Sequence, residues 1–298
     1  SDELGGEIGP MGISPHDVRA ARQAIWRTWS TEQLMYETFD RLAHGSSSGD
    51  LLRSAAPWIA VQAYYTCFSA TQALESFERG NVLEKHRDVR RSFCELWSPD
   101  TCDVRPFSAS ASARPSQIAD AVEFAGLPPG TSPDRTDPKS YWTRFDAWDV
   151  AGMSLQTTLR SLLDERYAEK RAQKTAVVKG RRPRLSPRER ESIRAKSASV
   201  TLLDVLHRIR VVANYRDVDV FLIGPGAEGD DAVRFFIVNL MHTTSALLLA
   251  TEMRMAFQMK KGLMAKVIEA WTVGATEGGR MAAPISDRVA ILESMHGG

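Results

Sequence analysis

His207, Arg210, Asn214 and Asp217 recur at spacings of 3, 4 and 3, which lines an imidazole, a guanidinium, an amide and a carboxylate along one helix face. Leu202, Val205, Ile209 and Val212 repeat the same spacing as an apolar stripe beside them. A guanidinium offers five donors in a planar fork that fits a phosphate, and it stays charged even when partly buried. An imidazole with a reference pKa of ~6.5 can move protons near neutrality. Tyr215, one residue past Asn214, adds a phenol. With a reference pKa of about 10 it is a poor base, but it can donate a proton to a leaving oxygen or bond a phosphate. Arg210, Tyr215, His207 and Asn214 are therefore the candidate catalytic set. The same side chains also have structural uses. Arg210 can pair with Asp217, His207 can bond a backbone carbonyl, and Asn214 with Asp217 can close the helix in a turn.

The elements that must carry this face are helical almost throughout. Ser14-Pro15-His16-Asp17 is a helix start, and the helix should run to about His44, before the Gly45–Gly49 break. The next should begin near Pro57 and stop at Gly80, with Ala63, Cys67, Ala70, Leu74 and Phe77 as its core stripe. A third is expected over Val82–Trp97. Seven prolines between Pro99 and Pro138 exclude long regular elements from 98–140, apart from a short helix at Pro115–Gly126. That stretch reads as an irregular Pro/Ser-rich insertion. Helices resume at Tyr141–Thr175. Ser186-Pro187-Arg188-Glu189 is a capping box opening one long helix to Tyr215. Asp231 to about Lys261 and Leu263–Val273 are the last helices, and His242 in the first of them reads as a core histidine. The fold class is all-α. We read 1–12 as a disordered leader, 13–273 as a single helical domain and 274–298 as a C-terminal tail.

Charge is uneven. The whole chain carries +1, yet residues 169–196 hold eleven Lys/Arg against three Glu, a local +8. Lys179, Arg181, Arg182, Arg184 and Arg188, in and beside the basic linker 176–186, are the candidate nucleic-acid contacts, because such a cluster attracts a phosphate backbone by counterion release. A solubilising linker would have the same composition. The three cysteines show no paired spacing, which suits a reducing compartment. The most apolar stretch, Phe235–Ala250, is interrupted by polar residues and is shorter than a span of roughly 20 residues. No membrane association is expected, and a cytoplasmic setting is. There is no Gly-rich phosphate loop, zinc spacing, H-E-x-x-H or G-x-S-x-G, so no metal site and no cofactor are expected.

Two separated segments together resemble the HEPN superfamily of helical bundles. The first is Ala63-Tyr64-Tyr65-Thr66-Cys67-Phe68-Ser69-Ala70-Thr71-Gln72-Ala73-Leu74 with Lys85-His86, Val89 and Phe93 downstream. The second is Arg210-Val211-Val212-Ala213-Asn214-Tyr215-Arg216-Asp217, placed like the family's arginine motif. The resemblance covers about Trp58–Phe93 and Thr201–Phe221. It implies an HEPN-like helical bundle, a role for His86 in orienting the motif helix, and in many members metal-independent ribonuclease activity in toxin–antitoxin or phage-defence systems. It also implies a homodimer whose Arg/His motifs share one cleft, with RNA as the partner. Tyr215 stands where the active pattern has His, which leaves catalysis open. The alternative it implies is a non-catalytic module that binds a partner protein, a nucleotide or nucleic acid.

Overall fold

The computed structural model describes residues 15–44, 49–97, 104–105, 107–113, 122–125, 147–175, 184–215, 230–259, 263–275 and 283–295. Among them 84% are helical, so the chain is mostly α. In chain order the helices are α1 Pro15–His44, α2 Gly49–Arg79, α3 His86–Leu96, α4 Ala147–Thr175, α5 Pro187–Ala195, α6 Leu202–Tyr215, α7 Asp230–Gln258, α8 Leu263–Ala275 and α9 Ala283–Met295. Three short strands accompany them: β1 Ser110–Ala113, β2 Val122–Ala125 and β3 Val200–Thr201. By contacts the chain divides into two compact units, 1–92 with 209–298, and 93–208; the divisions fall inside α3 and α6.

The first unit is built on α1 and α2, which pack against each other, with α7 laid on α2 and contacting α1 as well. Small residues make the close approach possible: Ala21 and Ala24 on α1 and Ala56, Ala60, Ala63, Ala70 and Ala73 on α2 are all buried. Large side chains fill the remaining space, led by Ile25, Trp29 and Met35 on α1 and Leu52, Ile59, Leu74 and Phe77 on α2. Helix α2 starts eight residues earlier than Pro57 suggests and carries that proline inside it. Leu52 and Ala56, on the turns before it, are fully buried, and their packing outweighs the one ladder bond a proline removes. Val233–Gln258 of α7 is, by length and composition, apolar enough to cross a membrane, at a mean hydropathy of 1.4. Its two charged side chains near the C-terminal end are engaged inside the unit, Glu252 with Arg288 and Arg254 with Glu78. The stretch read as a bare tail holds a thirteen-residue helix, α9, whose Ile285, Arg288 and Leu292 are buried at spacings of 3 and 4.

The second unit pairs α4 with a three-stranded antiparallel sheet of order β2-β1-β3. β1 sets Ala111 and Ala113 inward between half-buried serines, the period of two of a strand with one buried face. Residues 122–125, expected within a short helix, are strand β2, paired with Ala113 to Ser110. The expected single helix from Ser186 to Tyr215 is two. Ser186 and Glu189 do form the capping box that opens α5. The Lys174 ammonium and the Ser186 amide hold the half-buried Glu189 carboxyl down to about 2. The chain then leaves the helix, and Val200–Thr201 joins β1. A second cap restarts it: the backbone N–H and hydroxyl of Thr201 both donate to Asp204 Oδ2, at 2.8 and 2.9 Å.

Candidate anion-binding site

Consecutive tyrosines on α2 start the site. Neighbouring positions on a helix point about 100° apart, and here Tyr64 turns into the core while Tyr65 stays half-buried. Their rings meet edge to face with centroids 5.3 Å apart, and Phe68 lies one turn on, against both. After Arg79 the chain reverses through Gly80, whose φ of 68° is open to glycine at no steric cost. Buried Glu75 fixes the returning loop. Its carboxylate accepts from Asn81 Nδ2 at 2.9 Å and from Ser92 Oγ at 2.6 Å, and it pairs with Arg79 at 3.2 Å. Gln72 Nε2 donates to the Leu83 carbonyl and Ser76 Oγ to that of Asn81. The loop so held delivers His86, the first residue of α3, onto the tyrosines.

His86 packs its ring 4.8 Å from Phe68 and hydrogen-bonds through Nδ1 to Tyr64 Oη at 2.8 Å. From α6, Arg210 comes down on the same cluster. Its Nη2 donates to Tyr65 Oη at 3.2 Å, and its guanidinium carbon stands 5.3 Å from the Tyr65 ring centroid and 5.6 Å from that of Tyr64. Both distances lie in the range of cation–π attraction. Arg210 Nε is buried and has no acceptor, and no carboxylate among the described residues pairs with the guanidinium. Burial, then the charges of Arg210 and Arg90, push the His86 pKa below its ordinary value. A guanidinium with an unfilled donor, an imidazole whose protonation is disfavoured and two phenols make a candidate site for an anion.

Of the residues the sequence nominates, Arg210 is here. His207 is half-buried on the preceding turn of α6 and belongs to the unit 93–208. The side chains of Asn214 and Tyr215 lie outside the described residues, as do Lys179, Arg181 and Arg182. Arg184 and Arg188 are exposed in the second unit. His242, read as a core histidine, is exposed on α7, on the side of the helix opposite to buried Met241 and Thr244. No spacing signal marks Tyr64, Tyr65 and His86 as chemistry, although all three stand in the first of the two segments that resemble the HEPN pattern.

A second charged cluster, in the same unit, has no counterpart in the sequence reading. Arg288 of α9 donates Nη2 and Nη1 to the two oxygens of Glu32 on α1, at 2.6 and 2.7 Å, and Nε to Glu252 Oε2 on α7 at 3.0 Å. Trp29 Nε1 donates to Glu252 at 2.7 Å, and Ser245 Oγ, itself bonded to Tyr36, donates to Glu32 at 2.6 Å. Burial drives the Glu252 pKa up. For Arg288 burial pulls down, but the two carboxylates outweigh it and hold the pKa above its ordinary value. All three charged side chains are nearly inaccessible, so this is a closed structural lock between three helices.

No family model, no characterised protein and no solved structure matches the chain.

Proposed function

We propose that the chain is an HEPN-like helical protein directed at RNA, with Arg210, Tyr65, Tyr64 and His86 as its phosphate site. The observation that carries this reading is the meeting of the two resembling segments: Arg210 of the second bonds Tyr65 of the first across 145 positions of sequence. In the cleavage reaction we assign, the RNA 2′-oxygen attacks the adjacent phosphorus, its proton goes to a base, and the 5′-oxygen leaves with a proton from an acid. The products are a 2′,3′-cyclic phosphate and a 5′-hydroxyl. Arg210 stabilises charge on the phosphorane oxygens, an electrostatic role that needs no metal. Tyr215 and His207, on either side of Arg210 along α6, are the further proton-moving candidates, with Asn214 beside them. The setting we assign is cytoplasmic, in prokaryotic defence or a toxin–antitoxin pair, with no cofactor. Arg184 and Arg188, together with Lys179, Arg181 and Arg182, would add sequence-independent attraction to RNA.

Purified protein incubated with mixed RNA in excess EDTA tests the reaction. Fragments ending in 2′,3′-cyclic phosphate are expected, and cleavage that appears only on adding a divalent metal contradicts it. Assembly has its own expected result. A twofold homodimer would bring two copies of Arg210 to one cleft, where an anion relieves their repulsion. Light scattering at tens of micromolar should show a dimer, and added phosphate should stabilise it; a strict monomer with and without phosphate contradicts the shared cleft.

A second reading, a non-catalytic module that holds a partner protein, draws on exposed aromatic side chains of the same unit. Trp58 of α2 and Phe257 of α7 are 65% and 73% exposed, and large aromatics are enriched at protein interfaces.

A further inference from the structure

We propose that Arg210 and His86 form a proton-coupled anion site, in which a phosphate ester arriving at Arg210 is accompanied by a proton taken from solvent onto the His86 imidazole. The inference rests on the reading that Arg210 receives phosphate, and it adds the group that answers the anion's second charge.

Three features of the geometry support it. The first is the partner of His86. A hydroxyl is both donor and acceptor, so Tyr64 Oη can donate to Nδ1 of the neutral ring and, after a turn of its O–H bond, accept from Nδ1–H of the imidazolium. The 2.8 Å contact survives both states. A carbonyl in that place would lock the ring in one tautomer. Tyr64 is fully buried, so the ring is held while its charge changes. The second feature is the company around the ring. From α2 it faces Tyr64, Tyr65 and Phe68; Arg210 acts on it from α6 and Arg90 from its own helix. Lys85 and Arg87 flank it in sequence, and the nearest acid along α3, Asp88, is engaged by Arg87 at 3.6 Å. Burial first, and then the charges of Arg210 and Arg90, therefore disfavour protonation of His86. The third is Arg210 itself, whose Nε donor is buried and unfilled. An anion that meets the half-buried guanidinium also offsets the charge that disfavours protonation of His86.

The coupling has a sign. His86 in the empty site titrates below its ordinary value, and an anion at Arg210 should raise it by about one unit, the lower end of what an adjacent opposite charge does at a half-exposed position. By reciprocity the anion must bind about tenfold more tightly once His86 is protonated, so affinity rises as pH falls. Sulfate keeps its charge throughout this range and is the probe of choice. The measurement is NMR titration of the full chain with ¹⁵N-labelled histidine and arginine, with and without sulfate. His86→Asn identifies its signal among the six histidines. The expected result is a midpoint below ~6.5 without sulfate and an upward move with it. In Arg210→Gln the empty-site midpoint should already be higher and should no longer respond. If sulfate perturbs Arg210 while the His86 titration stays fixed, the proton coupling is wrong and the phosphate reading stands. If sulfate moves neither residue, both fail. The wild-type arms decide these outcomes even if the variant does not fold.

Discussion

Arg288→Ala should be among the most destabilising single substitutions in the unit formed by 1–92 and 209–298. The variant removes the cation that bridges two buried carboxylates, Glu32 and Glu252. Breaking such a group by truncating one partner costs about 3–5 kcal/mol, because the remaining charges stay buried and unpaired. Against a typical total stability of roughly 5–15 kcal/mol, the loss should be visible as a large drop in the thermal midpoint. The pH dependence separates this cause from simple loss of packing. Glu252 already has a raised pKa through burial, and without the Arg288 charge that holds it down it must rise further. A group whose folded-state pKa is raised contributes stability below its unfolded pKa and loses it as pH climbs through the folded one. The defect of Arg288→Ala should therefore shrink as pH falls from 7 toward 5. Replacing all three residues by Met, Gln and Gln should recover much of the loss. A variant that melts like the wild type at pH 7 would show that α9 is not locked by this cluster.

In the proposed reaction, Arg210→Ala is expected to lower the rate of RNA cleavage by about 10²–10³, the usual consequence of removing one donor from a developing oxyanion. The fold should tolerate the change. Arg210 makes one neutral hydrogen bond and two ring contacts, and no ion pair among the described residues depends on it. The helical circular dichroism of the variant should thus match the wild type while the rate collapses. Arg210→Lys should recover only part of the rate, since an ammonium keeps the charge and loses the fork. Equal rates for wild type and Arg210→Ala would remove Arg210 from the chemistry and favour the partner-binding module.

Much of the helical architecture is legible in the sequence because it is written in short repeats. The 4, 3, 4, 3 stripe of Ala63 to Phe77 is the buried face of α2, and the capping box at Ser186 opens α5. What escaped has physical reasons. The strand Ser110–Ala113 alternates in burial, but Ala and Ser are weak strand formers and the prolines around it suggested irregular chain. The break before α6 was signalled by Thr201 and Asp204, a cap three residues apart hidden inside a longer helical pattern. The Glu32–Glu252–Arg288 lock joins residues 36 to 256 positions apart. Its only local trace is a charge on a core face, as with Arg288 between Ile285 and Leu292. The candidate site falls between these cases. Arg210 was marked by its own stripe, but its neighbours come from turns far away in sequence, and no spacing rule joins Arg210 to Tyr65. The proposed resemblance names both segments but not their contact.

Affinity for RNA tests the central claim most directly. A fluorescein-labelled single-stranded RNA oligomer is titrated with full-length wild type and Arg210→Ala in EDTA, and anisotropy is read across a salt series. Wild type is expected to bind with a strong salt dependence, and Arg210→Ala to bind about tenfold or more weakly, with a log–log salt slope smaller by about one, as loss of a single phosphate contact requires. Wild-type protein that fails to bind RNA, or a variant with the same affinity and slope, would contradict an RNA phosphate at Arg210.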